Sequence, residues 1–324
     1  MRKIKIIVML LILVFVAVSC KNNNGNKQEE EKVVKVLMPE GIPAVALGGL
    51  FEDSEMEIIV VSGPSVLSSE LIKKDYDVIV APIILGAQLY SKGSLNYKLN
   101  SILTMGNSFL VCKKDKEVAS LKDLEGKKIA AYGQNTAPDI VLKAALEAKG
   151  VDVSKIEFVY ENSVQDVLTN RLMVDSTVDY VLCAEPVISK IEVSLKAKVG
   201  EISKIDLQEE LKEELSLIPQ AGIFVNKELD DDTIKNLTDK VKGNVSYLNT
   251  NTEAYVDKLS AYKGDYSYIF ENLGKEVILN SIPNSSIVFL DAKENVETLN
   301  KYFNMINKFN SKILNNNTID EKFY

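Results

Sequence analysis

Two short stretches of this sequence hold side chains arranged for chemistry. In Thr136-Ala137-Pro138-Asp139 a hydroxyl stands where it can cap a helix, a proline opens the first turn, and a carboxylate follows three residues after the cap. That order is a strong helix start, and the free N–H groups and positive dipole end of such a helix can receive an anion or a polarised oxygen. Ser65, after Gly63-Pro64, offers the same elsewhere in the chain. The second stretch is Glu185, between the apolar run VDYVLCA and Pro186. Its carboxylate either accepts a hydrogen bond from an amino or amide group on a ligand or is a solvated turn residue. Tyr132 either stacks on a ring or covers a sheet edge. Glu40 and Glu185 are of the right type for an acid–base pair, but nothing in the sequence fixes their separation.

The composition narrows what these groups do. There is no histidine and no tryptophan, and the only arginines are Arg2 and Arg171. Without histidine, Ser-His-Asp and Cys-His catalysis and the commonest zinc and haem sites are excluded. A net charge of −8 with so little arginine argues against nucleic acid, whose phosphates need cationic neutralisation. No Gly-Lys-Ser/Thr phosphate loop and no dinucleotide fingerprint is present, so no cofactor is expected. Cys112 and Cys183 sit in apolar runs and read as small buried hydrophobes, with a disulfide as the lesser alternative. The balance leans from enzymes toward binding.

The elements that must position these residues are legible as alternating patterns. Arg2, Lys3 and Lys5 precede the apolar run Ile6–Val18, which is too short to span a bilayer and suits a secretory signal. Ala17-Val18-Ser19-Cys20 resembles the bacterial lipobox, so residues 1–19 are expected to be a lipoprotein signal peptide, with Cys20 lipidated and anchored at the membrane. The polar KNNNGNKQEEEK that follows reads as a tether, giving 20–32 as flexible. Next come Val- and Ile-rich runs at 33–38, 56–62 and 76–82, separated by helical spacing at 43–51 and 65–74. A second block has strands at 127–132, 156–160 and 178–184, with helices at 138–149, 163–174 and 187–194. Such runs suit parallel strands buried on both faces, and the alternation predicts open α/β sheets. Beyond residue 231 the pattern is mainly helical, with a short run at 285–290 and an Asn-rich tail expected to fray.

Two α/β blocks and a helical C-terminal part predict two lobes. The chain builds part of lobe 1, crosses near 101–112, builds lobe 2 and crosses back near 217–226. The expected division is 33–108 with 222–324 for lobe 1, and 109–221 for lobe 2. Two crossings make a hinge, with ligand held between the lobes at the carboxyl ends of the strands.

The stretch SLKDLEGKKIAAYGQNTAPDIVLKAALEAKGVD (120–152) resembles the start of the second lobe in type II periplasmic solute-binding proteins, and Asp123-Leu124-Glu125-Gly126-Lys127 matches their frequent D-L-x-G-K signature. VDYVLCAEPV (178–187) and MPEGIPAVALGGL (38–50) resemble the nitrate/sulfonate/taurine and thiamine-precursor branch. The resemblance implies a two-lobe α/β fold and a lipid-anchored receptor that hands a small molecule to an ABC permease. It carries ligand contacts onto Gly41, Ile42, Pro43, Ser65, Ala81, Pro82, Asn107, Gln134, Asn135, Thr136 and Glu185, with Tyr132 beside them. Members that bind anions often add an arginine or histidine. Here Arg171 lies mid-helix, at the far end from the expected cleft, so a neutral, pyrimidine or amine-bearing ligand fits at least as well as a sulfonate or nitrate. The same fold also hosts enzymes of thiamine-pyrimidine and menaquinone synthesis. The first type needs histidine, and the second resembles cytosolic proteins, whereas this chain carries an export signal. A surface lipoprotein without a transport role is the remaining alternative.

Overall fold

A computed structural model describes residues 33–174 and 177–324. The expected signal peptide, the lipidation residue Cys20 and the tether 20–32 lie outside the described residues. Eleven strands are described: β1 (Val34–Pro39), β2 (Met56–Val61), β3 (Val78–Pro82), β4 (Tyr97–Met105), β5 (Ser108–Lys113), β6 (Lys128–Tyr132), β7 (Glu157–Glu161), β8 (Tyr180–Ala184), β9 (Ile202–Asp206), β10 (Pro219–Asn226) and β11 (Ile287–Asp291). They form a six-stranded sheet in the order β11-β4-β10-β3-β1-β2 and a five-stranded sheet in the order β7-β6-β8-β5-β9. Each sheet with its helices is one lobe of an α/β fold.

The central runs β1, β3, β6 and β8 are buried on both faces, which is why they show no polar alternation, whereas β2 and β7 are partly exposed sheet edges. Leu37 and Ile79 face one apolar cluster, while Val36, Met38, Val78 and Val80 face the other. In β8, Tyr180 and Leu182 face one cluster and Val181 and Cys183 the opposite one. The sheets are mixed rather than purely parallel. β1 runs parallel to β2 and β3, and β6 to β7 and β8. β10 lies antiparallel between β3 and β4, and β5 antiparallel between β8 and β9. β5 and β10 each directly follow a change of sheet, so each arrives against the local strand direction. In the β5–β8 register Cys112 faces Tyr180 and Cys183 faces Phe109. The two cysteines fall in clusters on opposite faces, and both are free thiols.

The first change of sheet takes two residues, Gly106 and Asn107, so Ser108 belongs to the second sheet; the return places Pro219–Ala221 in the first. The crossings lie side by side, with the Gly106 N–H donating to the Ile218 carbonyl at 3.0 Å. A Cβ at Gly106 would come within 2.4 Å of Gln208 Oε1, so this strand can pass only as glycine.

Nine helices position the site: α1 (Ile42–Leu47), α2 (Pro64–Glu70), α3 (Ile83–Ser91), α4 (Ala137–Ala148), α5 (Val187–Ser194), α6 (Asp231–Thr250), α7 (Thr252–Ala261), α8 (Lys275–Ser281) and α9 (Val296–Phe309). In α9, Leu299, Tyr302, Phe303 and Ile306 recur at helical spacing and are buried. The expected helix over 163–174 is instead one α turn, Val164–Asp166, continued by a π turn, Val167–Leu172.

α9 lies against α4 of the second lobe, with Lys308 paired to Glu147 at 3.0 Å. One expectation for the C-terminal part is corrected. The Asn-rich tail does not fray. Leu314, Phe323 and Tyr324 are buried, and the Phe323 ring sits among Tyr90, Phe224 and Phe303. Residue composition hid three apolar anchors spaced too widely to form a periodic pattern.

Candidate functional site

The strand ends of the second lobe carry most of the polar chemistry. After β8, Glu185 is joined to Pro186 by a cis peptide bond. It is not a solvated turn carboxylate, because only 5 % of it is exposed. Its backbone N–H donates to the Asn107 carbonyl at 3.3 Å, tying the β8 loop to the first crossing. Its Oε2 accepts the Ser189 N–H in the first turn of α5 at 3.1 Å, and its Oε1 accepts the Asn284 side-chain amide at 3.0 Å. Burial pushes the Glu185 carboxyl above the ordinary glutamate value, an effect that Ser189, Asn284 and the charge of Lys204 oppose. Asn284 stands between α8 and β11 and therefore comes from the first lobe, 99 residues along the chain from Glu185.

Tyr132, at the end of β6, is half-buried and packed against the core, near the Ser108 side chain. Burial pushes its pKa well up. The following loop holds Gln134, Asn135 and Thr136, all exposed, with Asn135 at φ 59°. The expected cap is rearranged. Thr136 occupies the N-cap of α4 but makes no capping bond, and its Oγ1 instead donates to the Gly133 carbonyl at 2.6 Å. Asp139 does the holding. It is fully buried, and it accepts from the Asn135 N–H (2.8 Å), Lys143 Nζ (2.8 Å) and the Tyr160 hydroxyl (2.7 Å). A carboxylate that takes three donors fixes the loop backbone in its left-handed conformation.

The first lobe presents mostly shape. Gly41, at φ 90° and ψ −145°, is the N-cap of α1 without a side-chain cap, in a region open essentially to glycine. Ile42 is buried and Pro43 half-buried. Ala81 is buried and Pro82 exposed, and they pair with Gly222 and Ala221 of β10. Ser65 is exposed in the first turn of α2, but Gly63 holds the N-cap, so Ser65 is not the capping residue expected. Glu40 is exposed and accepts the Tyr268 hydroxyl at 3.1 Å. Among the described residues it shares no hydrogen-bond partner with Glu185.

Of the expected residues, the structure joins Asn107 and Glu185 directly and sets Tyr132 beside Ser108 at the crossing. Asn135 meets the C-terminal part through its carbonyl, which accepts Asn310 Nδ2 at 3.0 Å. Gly41, Ile42, Pro43 and Ser65 take no part in the described bonds between the lobes. Two residues absent from the sequence reading contribute across the gap: Asn284, and Gln220, whose amide donates to the Ser108 hydroxyl at 3.3 Å. Both stand far in sequence from what they touch, so no local pattern marks them. Arg171 is also relocated. It reaches back to Glu161 at the carboxyl end of β7, with Nε 2.6 Å from Oε1. Among the described residues no cluster of three acidic or cysteine side chains is placed to hold a metal, and no helix is long and apolar enough to cross a membrane.

Comparison with known proteins agrees with this architecture. Residues 86–215 match the family model described as NMT1/THI5 like. The fold is similar to that of an ABC transporter protein from Parabacteroides distasonis, at 20% identity and a TM-score of 0.72 over 90% of this chain and 98% of that one. It is also similar to the periplasmic aliphatic sulphonate binding protein SsuA of Escherichia coli (13% identity, TM-score 0.66, 90% and 91% coverage). A ligand-binding component of an ABC-type import system from Staphylococcus aureus, solved with zinc bound, matches at 13% identity and TM-score 0.60 over 90% and 96%. No curated protein matches the sequence significantly. Residues 86–215 are thus similar to the NMT1/THI5-like model, and the chain has the two-lobed type II periplasmic binding protein fold.

Proposed function

We propose that this chain is the extracytoplasmic solute-binding component of an ABC importer, anchored to the membrane through a lipid on Cys20, and that it delivers a small molecule to a permease without catalysing a reaction. The observation that carries the proposal is the meeting of strand ends from two sheets at Glu185, next to two crossing segments hydrogen-bonded to each other. A pair of adjacent crossings suits a hinge, and a hinge beside polar groups contributed by both lobes suits capture by closure. Expected contacts are the Glu185 carboxylate, the Tyr132 ring, the Gln134–Thr136 loop and Asn107, with Gly41–Pro43, Ser65, Ala81 and Pro82 shaping the opposite wall. A buried carboxylate at the centre favours a ligand with N–H donors, such as an amine or pyrimidine, over a sulfonate or nitrate. Arg171, the one arginine within the described residues, is engaged by Glu161 at the carboxyl end of β7.

The test is a thermal-shift screen of sulfonates, nitrate, pyrimidines, vitamins and amines, paired with mass spectrometry of small molecules released from gently purified protein. A true ligand at 100 times its Kd adds about 2.7 kcal/mol of stability. No shift with any class, and no released molecule, would overturn the transport reading. Cys20→Ala is expected to move the protein out of the membrane fraction; retention there would overturn the lipid anchor.

A further inference from the structure

The Asn284–Glu185 bond differs from the other bonds between the lobes. Asn310 to the Asn135 carbonyl and Lys308 to Glu147 are exposed, and Gln220 to Ser108 joins two neutral groups. Asn284 alone, among the described residues, brings a donor from the first lobe to a buried carboxylate of the second. Behind that bond the polar groups are incompletely matched. Ser189 is fully buried, and its hydroxyl lies near enough to the Glu185 carboxylate to favour its charged form, but not in full hydrogen-bond geometry to it or to any other described group. Native interiors rarely leave such a hydroxyl unpartnered. Around it, α5 and α8 pack against each other and close the lobes over this corner.

We infer that Asn284 is a built-in stand-in for the ligand: its carboxamide fills the N–H donor position opposite Glu185 and latches the lobes together until a cargo bearing an amine, amidine or amide displaces it. The cargo half of this inference rests on the transport reading; the latch does not. A ligand with no differential affinity for open and closed states shifts nothing, so a latch of this kind screens for molecules that can replace the amide. The Ser189 hydroxyl gives such a molecule a second partner that Asn284 leaves unused.

The test follows hydrogen exchange in the full-length protein without cargo, reading peptides over 185–190 in one lobe and 280–286 in the other. Asn284→Ala is expected to raise exchange in both peptides roughly tenfold, the scale of losing one hydrogen bond to a charged group, with little change elsewhere. Acetamidinium or acetamide, the missing group as a free molecule, is expected to restore protection, and acetate is not. Asn284→Asp, which sets a second carboxylate against Glu185, is expected to open both peptides at least as far. Unchanged exchange in both variants, a rise on one side only, or recovery with acetate would overturn the latch. A chain that opens and closes in this way yet binds no cargo in the thermal-shift screen would refute the transport reading and leave the latch standing.

Discussion

The strand ends of the first lobe present backbone and small side chains, Gly41, Ala81 and Pro82, whereas those of the second present Tyr132, Asn135 and Glu185. The supports differ in degree. The first lobe holds the helix after β1 through the buried Tyr255 hydroxyl, which bonds to backbone at Val45, Ala46 and Gly49, and packs its other strand ends in apolar clusters. The second uses buried polar groups, Asp139 under one loop and Ser189 under the other. Packing is tolerant of chemistry but not of volume, and a buried hydrogen-bond network is the reverse. The comparison teaches that the strand-end side chains of the first lobe supply mainly shape and those of the second mainly charge and hydrogen bonding, with Asn284 the first-lobe donor that meets them.

The largest expected effect tests the packing side. Phe323 is fully buried and lies edge-on to Tyr90, Phe224 and Phe303. Phe323→Ala removes a ring from a site that α3, α9 and β10 cannot close over. The expected loss is about 3–5 kcal/mol in denaturant unfolding. A loss below 1 kcal/mol would mean that the C-terminal tail is not part of the core. Next is the polar side. Asp139→Ala leaves the Tyr160 hydroxyl, the Asn135 N–H and Lys143 without their acceptor. Lys143 is partly exposed and can rehydrate, so the expected cost is about 3 kcal/mol, near the lower end for breaking a buried pair. The Gln134–Thr136 loop is expected to lose its order at the same time, read as faster amide exchange at Asn135. A destabilised protein with an unchanged loop would separate the two roles.

How much of this was legible follows from the same contrast. Val- and Ile-rich strands announce themselves as apolar runs, whether central, as β1, β3, β6, β8 and β10, or at a sheet edge, as β2 and β7. β4 and β5 were hidden because only Gly106 and Asn107 separate them, and the two read as one apolar segment. β9 (ISKID) is a partly exposed edge strand with no apolar run to mark it. Strand-end logic placed Glu185, Tyr132 and the Gln134–Thr136 loop at the carboxyl ends of the second sheet, where they stand, because the sheet fixes where strand ends lie. It did not find Asn284 or Gln220, which reach the gap from elements whose own sequences describe only helix ends and a crossing strand. It also read Asp139 as a helix-start signal, when three-dimensional packing makes it the anchor of the loop. Long-range partners of a polar site leave no periodicity to read.

The smallest expected effect sharpens the comparison by sign. In the first lobe burial alone would raise Asp53, but the Lys240 hydrogen bond, the Glu55 N–H and nearby lysine charges outweigh it and hold the carboxyl below its ordinary 3.8. In the second lobe burial wins, and Glu185 stands above its ordinary 4.5. A lowered carboxyl contributes stability that is present above its unfolded value and is lost as pH falls through the folded value. A raised one does the opposite: the folded state binds its proton more tightly, so the contribution is complete below 4.5 and is lost as pH rises through the folded value. Urea midpoints from pH 3 to 7 separate the two, taken as differences between the unaltered protein and each of Asp53→Asn and Glu185→Gln. The advantage of native Asp53 over asparagine is expected to shrink toward the acid end. The advantage of native Glu185 over glutamine is expected to shrink toward neutral pH, because glutamine keeps an acceptor for the Ser189 N–H and carries no charge to bury. Equal slopes of the same sign would mean that the Glu185 carboxylate is solvated after all, and with it the contrast between strand ends that supply shape and strand ends that supply charge would fail.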